Sequence, residues 1–421
     1  MKPSSDCDAP VSLGGFGSNL WTARGTRAYR RVSLALFVAG FSTFSLLYAV
    51  QPLLPSFTRD FRVGPAEASL ALSLTTGFLA LDILFAGAVS ESLGRRPVMF
   101  ASICLAAVLD IASALAPDWR LLLAARAVEG LALGGVPAVA MAYLGEEIDP
   151  AGLGRATGLF VAGNAFGGMA GRVGVGVLAS WTSWRVALAG LGVLDLGIAL
   201  AFIGLLPPSR NFVRRAGADL AFHVAVWRRH LTNGRLMLLC LIGFLVMGTF
   251  VTTYNYVGFR LQAAPYGLSQ DQASAIFVVY LFGMAASWTA GALADRLGRG
   301  PVLMAGVLVA LVGLAITLAM PLAAVVLGIA VLTIGFFVAH SVASGWIGPA
   351  AGEARAHAAS LYLLAYYLGA SLMGSAGGWF WITHRWPGVA AFSGAMLALA
   401  FVAALRLQRA AKPTNPAAAN S

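Results

Sequence analysis

Apolar runs of about 20 residues, separated by short charged, proline-rich or tryptophan-capped segments, constrain the fold of this chain more than any other feature. A helix that crosses a bilayer needs about 20 predominantly apolar residues. We therefore predict an all-α membrane protein with twelve transmembrane helices. Their approximate limits are 32–54, 67–89, 97–116, 120–143, 155–179, 185–206, 235–257, 273–294, 301–319, 322–346, 357–381 and 388–407.

The composition agrees with a bilayer as the solvent and excludes several functional classes. Hydrophobic residues make up 59% of the 421 residues and charged residues only 11%, whereas about a quarter of a soluble domain is charged. The net charge of +11 does not indicate nucleic-acid binding, because the basic residues lie in short loops instead of on one soluble face. Cys7, Cys104 and Cys240 lack the spacing of a metal site or a disulfide framework. Neither nucleic acid nor metal is expected as a partner.

One segment occurs twice in the sequence. Residues 87–99, GAVSESLGRRPVM, return as GALADRLGRGPVL at 291–303. Each copy lies between two apolar runs, which is the pattern expected when a whole bundle of helices has been duplicated. The long polar segment after the sixth run then separates the two bundles. The predicted divisions are a cytoplasmic tail at 1–31, a six-helix bundle at 32–207, a cytoplasmic linker at 208–234, a second six-helix bundle at 235–408 and a cytoplasmic tail at 409–421.

The distribution of arginine and lysine predicts the orientation in the membrane. If the amino terminus is cytoplasmic, 20 of the 28 basic residues lie on the cytoplasmic side. Loops on that side of a membrane carry an excess of basic residues, so both termini are predicted to be cytoplasmic. The first 31 residues show no cleavable signal pattern. The basic residues outside the cytoplasmic set are Arg59, Arg62, Arg120, Arg185, Arg260 and Arg385 on the other side, and Arg126 and Arg172 within spans.

These features together resemble the Major Facilitator Superfamily, whose members carry loops of the pattern G-x-L-x-D-R-x-G-R-R after the second and eighth spans. The second copy follows that pattern closely, and the first keeps an acid, Glu91, in place of Asp. The resemblance implies two pseudo-symmetric six-helix bundles and a cytoplasmic gate in which an acid pairs with arginine. A simple positive-inside anchor is the alternative. The gate candidates are Gly87, Glu91, Gly94, Arg95, Arg96, Gly291, Asp295, Arg296, Gly298 and Arg299.

Three further segments resemble members of the same superfamily. RAVEG at 126–130 resembles the R-x-x-Q-G motif, with Glu129 in place of the amide, and YAVQPLLPSF at 48–57 is similar to arabinose-efflux-like members. GLFVAGNAFGGMAGR at 158–172 resembles the glycine-rich antiporter motif of drug- and sugar-efflux members, with Asn164 where that motif carries Pro. Small residues let helices approach closely in lipid, either as static packing or as a sliding interface between the halves. The residues concerned are Gly163, Asn164, Gly167, Gly168 and Arg172.

Six ionisable residues fall within the predicted spans, where an unpaired charge is costly. Four acids face two bases, so at least one acid is expected to hold a proton at rest, or to be balanced by His340, a cationic solute or water. An acid that can hold a proton within the membrane is what a proton-coupled carrier needs. The six residues are Asp82, Asp110, Arg126, Glu129, Arg172 and Asp195.

The resemblance assigns different roles to the four acids. The first, fourth, seventh and tenth spans of superfamily members line a central cavity, so Glu129 on the fourth span is the first candidate for proton coupling. Asp82, near the midplane of the second span, is the second candidate. A self-contained ion pair between Glu129 and Arg126 is the alternative. Asp110 and Asp195 fall on spans expected at the periphery, and we expect structural partners for them, such as one of the two buried arginines.

Polar and aromatic residues on the expected cavity helices are candidates for binding a solute. Such a lining can hold an amphipathic or cationic solute by stacking and hydrogen bonds. Interfacial anchoring is the alternative for the tyrosines, and a packing role is the alternative for the histidine. The candidates are Arg126, Tyr48, Gln51, Tyr254, Asn255, Tyr366 and His340.

The predicted function is transport, because the sequence has no catalytic set of nucleophile, base and acid and no Walker loop. We predict a secondary active transporter of the bacterial inner membrane that exports a small organic solute, such as a drug-like compound or sugar, against protons by alternating access. Its partners are the solute, protons and lipid; it needs no cofactor and works as a monomer. A proton-coupled importer of a sugar or organic acid is one alternative. A non-transporting receptor or scaffold is another, against which the intramembrane charges argue.

Overall fold

A computed structural model of the chain describes residues 21–213 and 220–411, and nearly all of these residues are helical. Within them, ten helices are long and apolar enough to cross a membrane. These helices have the bounds Arg27–Asp60, Pro65–Leu93, Arg95–Leu115, Trp119–Glu147, Trp184–Leu205, Gly234–Gln262, Gln270–Leu297, Arg299–Ile316, Leu322–Ala351 and Arg355–Ala410.

Two observations bring the number of membrane-length segments in the described chain to the predicted twelve. The helix Pro150–Trp181 is 32 residues long but rich in glycine, so its mean hydropathy is lower than that of its neighbours. The helix Arg355–Ala410 is interrupted at Arg385, where φ is 52° and ψ is −143°. Proline at position 387 follows, and proline disrupts helical hydrogen bonding. The last helix therefore supplies the eleventh and twelfth spans, and the predicted all-α fold class is confirmed.

The helices extend beyond several of the predicted apolar runs, because polar caps lie outside the runs. The first run was predicted at 32–54, whereas the helix begins at Arg27, after Thr26 accepts a hydrogen bond from the Tyr29 amide. Asn233 caps the seventh span in the same way, with its side chain accepting from two main-chain N–H groups. Such caps satisfy donors that a helix leaves free at its amino end.

The first six spans, called here the N-terminal half, pack mainly against one another, and the last six form the C-terminal half. The first span packs on the fifth, the second on the fourth and the third on the sixth. The equivalent pairs recur in the second half, with the seventh on the eleventh, the eighth on the tenth and the ninth on the twelfth. A short linker helix, Leu220–Leu231, precedes the seventh span. Most of each predicted tail, 1–31 and 409–421, and part of the predicted linker lie outside the described residues.

The two repeated loops have the same backbone geometry. Gly94 has φ 95° and ψ 151°, and Gly298 has φ 89° and ψ 148°. Residues with a side chain rarely adopt this region, so each loop needs glycine where one helix ends and the next begins. The two copies of the repeated segment therefore share a backbone conformation as well as a sequence pattern.

The halves touch at one end of the molecule and separate at the other. We call the end where the first span begins the inner side and the end where it finishes the outer side. On the outer side, Gln51 Nε2 donates to Asn255 Oδ1 at 2.8 Å, and the Ser375 hydroxyl donates to that of Ser73 at 2.7 Å. On the inner side, a cavity of about 1080 Å³ opens between the first and fifth spans and the eighth span.

Candidate functional site

The most concentrated set of buried charges in the described residues lies inside the N-terminal half. Arg126 on the fourth span donates from Nη1 to Glu129 Oε2 at 2.6 Å, and to Asp110 Oδ1, on the third span, at 3.3 Å. Its Nη2 donates to two main-chain carbonyl oxygens of the first span, and its Nε to one of the second span. All three charged side chains have an exposure of 0%. Four spans are therefore tied together by one guanidinium.

A third carboxyl group, Asp195 on the sixth span, lies beside these residues. Its Oδ2 accepts a hydrogen bond from the Ser45 hydroxyl at 3.5 Å, and it is close enough to Asp110 and Glu129 to interact with their charges. One oxygen of each acid has no hydrogen-bond partner within the described chain. The guanidinium pairs with two of these three buried carboxyl groups, so ionisation of all three would leave buried charge without compensation. We call Arg126, Asp110, Glu129 and Asp195 the acidic cluster.

Arg126 and Glu129, which were predicted to face the central cavity, have no solvent exposure in this structure. Both side chains are buried inside their own half. A guanidinium has five N–H donors, and the five acceptors of Arg126 all lie on the first four spans. Asp110 has one of the partners expected for it, Arg126. Asp195 has a serine hydroxyl instead of an arginine.

Asp82, the second candidate for proton coupling, is separate from the acidic cluster. It packs against Gly134, where an added Cβ would lie 2.2 Å from the Asp82 Oδ2. Gly134 divides the fourth span into the helical segments Trp119–Leu133 and Gly135–Glu147. Asp82 is partly buried and forms no ion pair within the described residues. Its role in proton coupling stays a prediction.

A second polar group joins the two halves on the outer side. Arg172 Nε donates to Gln51 Oε1 at 2.6 Å, and Gln51 in turn donates to Asn255 at 2.8 Å. The Arg172 guanidinium carbon lies 3.9 Å from the centre of the Tyr48 ring. Four candidates from three spans that are far apart in the sequence, the first, fifth and seventh, are thus brought together. We call Arg172, Gln51, Asn255 and Tyr48 the outer latch.

The remaining cavity candidates lie in the C-terminal half. Tyr254 is buried, and its hydroxyl is 2.7 Å from the Thr333 hydroxyl, so it is part of the packing within that half. His340 and Tyr366 are partly buried, with ring centres 4.6 Å apart. The His340 Nδ1 lies 3.1 Å from the Tyr362 hydroxyl. His340 therefore has a hydrogen-bond partner within its own half, and its role in binding a solute stays a prediction.

The repeated loops lie on the inner side without pairing with each other. Arg95 forms an ion pair with Glu146, at the end of the fourth span, at 2.7 Å. Asp295 and Arg296 are exposed, and like Glu91 they form no ion pair within the described residues. Sequence reasoning missed Glu146, although two adjacent acids close the fourth span on the side of the first loop.

The glycine-rich motif of the fifth span packs against the first span of the same half. A Cβ added at Gly163 would lie 2.3 Å from the Phe37 carbonyl oxygen, and one at Gly167 would lie 2.1 Å from that of Phe41. These glycines are therefore needed for close backbone approach within one half, and the alternative of a sliding interface between the halves does not apply to them. Asn164 belongs to the same contact, against Gly40.

Comparison with known proteins gives consistent matches over the whole helical region. The family profile described as "Major Facilitator Superfamily" matches residues 32–263 and 261–421. The inner membrane transport protein YnfM of Escherichia coli (strain K12) is 43% identical over 93% of this chain and 94% of its own length. The uncharacterized MFS-type transporter YybF of Bacillus subtilis (strain 168) is 42% identical over 92% of this chain and 96% of its own length.

Two further similarities are more distant. A class C tetracycline resistance protein of Escherichia coli is 32% identical over 61% of this chain and 66% of its own length. The crystal structure of the nucleoside transporter NupG superposes with a TM-score of 0.73 at 14% identity, over 89% of this chain and 99% of that structure. At this identity the superposition supports the fold alone.

Proposed function

The chain belongs to the Major Facilitator Superfamily of membrane transporters, and from this premise we propose that it exports a small organic solute in exchange for protons. The proposed location is the bacterial inner membrane, the location that the name of the relative YnfM states for that protein. Both termini are proposed to be cytoplasmic, so that the inner side of the molecule faces the cytoplasm. The proton gradient alone drives the proposed exchange, and one chain carries it out.

The acidic cluster is the observation that carries the proposal of proton coupling. Two carboxyl groups share one guanidinium and a third, Asp195, lies beside them, all without solvent exposure, so we infer that at least one of the three holds a proton. Protonation removes the charge of an acid and weakens its bond to Arg126. Glu129 is our first choice for the group that exchanges its proton, because its bond to Arg126, at 2.6 Å, is the shorter of the two and its loss would change the hydrogen bonds of Arg126 most.

The first span offers a direct route from a proton to the outer contact between the halves. Arg126 binds the carbonyl oxygens of Leu46 and Leu47, and Gln51 of the outer latch follows within the next turn. A change in the hydrogen bonds of Arg126 therefore acts on the same segment that holds the halves together. This link supports alternating access, in which the outer contact opens as the inner cavity closes.

The walls of the inner cavity support a solute with apolar surface. Leu34, Leu159, Met284 and Trp288 line it, with Arg30 and Arg155 near its mouth. Apolar walls with a few polar groups suit a drug-like compound or an amphipathic sugar derivative. The tetracycline resistance relative favours export as the direction.

Transport in everted membrane vesicles tests direction and coupling together. Respiring everted vesicles are acid inside, so an exporter accumulates solute in them when protons leave. With ethidium, arabinose and benzoate as labelled probes, we expect gradient-driven accumulation of at least one by the wild-type protein and its loss in Glu129→Gln. Asp82→Asn is the parallel variant for the second candidate.

The opposite pattern identifies the alternatives. Uptake into intact cells without accumulation in everted vesicles would indicate an importer and overturn the proposed direction. Equal accumulation by wild type and Glu129→Gln would remove that residue from coupling. Absence of gradient-driven flux for a broad solute panel would favour a receptor or scaffold.

A further inference from the structure

Arg172 is a buried cation whose charge no acid among the described residues neutralises. It is 2% exposed and forms no ion pair within the described residues. Its two hydrogen bonds go to neutral acceptors, Gln51 Oε1 at 2.6 Å and the Gly168 carbonyl oxygen at 2.6 Å. An isolated buried charge is among the costliest features a protein can retain. Its retention in a membrane span points to a function.

The other buried arginines of the described chain show what a structural role looks like. Arg126 binds two carboxylates, and Arg95 pairs with Glu146. Arg260 donates to the carbonyl oxygens of Thr317 and Ala319, where one helix of the C-terminal half ends. Each of these guanidinium groups has either an acid or a set of helix-end carbonyls. Arg172 has neither.

A second polar group points to the same place from the opposite half. Tyr280, on the eighth span, is 4% exposed, and its hydroxyl has no hydrogen-bond partner within the described residues. The Arg172 guanidinium carbon lies 4.9 Å from the Tyr280 ring, 5.3 Å from that of Phe277 and 3.9 Å from that of Tyr48. A cation and a free hydroxyl donor thus face each other between three aromatic rings. This is the chemistry that recognises a carboxylate attached to an apolar body.

We propose that Arg172 and Tyr280 bind the carboxylate of the transported solute, which is therefore a small organic acid with an apolar or aromatic body. This proposal rests on the proposed transport function and narrows its solute class. The carboxylate accepts hydrogen bonds from the guanidinium and from the Tyr280 hydroxyl, while the body lies against the rings. Because Arg172 also donates to Gln51 of the outer latch, a carboxylate competes with Gln51 for the same N–H group. Solute binding then loosens the contact that closes the outer side.

The test is binding to the purified full-length protein in detergent, measured by intrinsic tryptophan fluorescence and by thermal shift. The probes are benzoate, 3-phenylpropionate and cyclohexanecarboxylate, each compared with its neutral amide. For wild type we expect at least one carboxylate to bind at least about tenfold more tightly than its amide. Failure of every acid to exceed its amide overturns the proposal.

Three variants assign the selectivity to named atoms. Arg172→Gln is expected to abolish the preference for the acid. Tyr280→Phe removes only a hydroxyl that has no hydrogen-bond partner in the described part of the chain, so it is expected to fold normally and weaken acid binding about tenfold. Tyr254→Phe is the matched control, because that hydroxyl already bonds Thr333, and it is expected to keep the preference. Unchanged selectivity in Tyr280→Phe and Arg172→Gln overturns the assignment.

The binding assay needs no proton gradient, so it separates this proposal from the proposed function. If the protein transports ethidium or arabinose in response to the gradient but does not prefer acids to amides, the carboxylate site is overturned and proton-coupled export still stands. Selective acid binding by a protein without any gradient-driven flux would leave the site standing and overturn proton-coupled export.

Discussion

Arg126 shows how a single residue decides the charge balance of a membrane bundle. Its five hydrogen bonds reach the first, second, third and fourth spans. Two of its acceptors are carboxylates without solvent contact. Within the cluster, Arg126 is therefore the residue whose loss leaves the most uncompensated charge.

We predict that Arg126→Gln destabilises the protein by about 3–5 kcal/mol, the range for removing one partner of a buried ion pair. Unfolding by titration with sodium dodecyl sulfate in mixed micelles measures the loss. The double variant Arg126→Gln/Glu129→Gln should recover part of it, because it also removes one of the stranded acids. A double variant less stable than the single one would contradict this account of the cluster.

At this scale the sequence predicted which charged residues lie within the spans, but not how their side chains are arranged. Counting four acids against two bases predicted that at least one acid is protonated or balanced by another group, and the structure pairs two of those acids with Arg126 and places a third beside them. The sequence also predicted that Arg126 would face the cavity, whereas the guanidinium is fully buried among spans of the N-terminal half. Sequence spacing gives the span and depth of a side chain, but which face of a helix turns toward which neighbour depends on packing across the bundle.

Among the helices, the fifth span illustrates how packing can depend on glycine, which has no side chain. Its glycines lie against main-chain oxygens of the first span, so the two helices approach closely where larger residues would hold them apart. Close approach of this kind is a main source of helix association in lipid, where burial of apolar surface drives little.

We predict that Gly167→Ala destabilises the N-terminal half by about 1–3 kcal/mol, the usual cost of overpacking. The added Cβ would lie 2.1 Å from the Phe41 carbonyl oxygen, so one helix must move. Gly174→Ala in the same helix is the control, since its Cβ would meet nothing within 4 Å. The same micelle unfolding assay compares the two. Equal stability of both variants would show that the contact is not tight.

The loops of the repeat make a separate prediction. Gly298 has φ 89°, so Gly298→Ala places a side chain in a strained region, at a cost of about 1–3 kcal/mol. Gly291→Ala, seven residues earlier in the same motif, has open space around its Cβ and no positive φ. We expect a lower yield of folded protein, measured by fluorescence-detected size exclusion, for the first variant only. An equal loss of folded protein in Gly291→Ala would indicate that any change in the motif is harmful and that the positive φ of Gly298 is not the cause.

The sequence predicted the transmembrane helices more reliably than it predicted the contacts between them. Apolar length predicted every span, since the bilayer imposes it on any helix that crosses. The partner of Arg95 was missed because Glu146 lies at the end of another span, and only the folded bundle brings the two together. Gate pairing through Glu91 and Asp295 stays a prediction, to be examined in a conformation closed on the inner side.

The whole molecule is asymmetric across the membrane. The outer contacts join the first and second spans to the seventh and eleventh, whereas the inner ends stand apart around a cavity of about 1080 Å³. Two similar halves that meet at only one end can exchange which end is closed by a rigid rotation. Such a rotation has to break the outer contacts.

Locking the outer contact therefore tests whether that rotation is required for transport. In a background with its three native cysteines replaced by alanine, we propose Ser73→Cys/Ser375→Cys, whose hydroxyl oxygens lie 2.7 Å apart. Oxidation should form the disulfide and stop gradient-driven solute flux in everted vesicles, and a reductant should restore it. Each single variant controls for oxidation damage. Gly158→Cys/Ser287→Cys, on opposite walls of the inner cavity, should cross-link only when the inner side closes. Full flux through the oxidised outer pair would show that transport does not need the halves to part there.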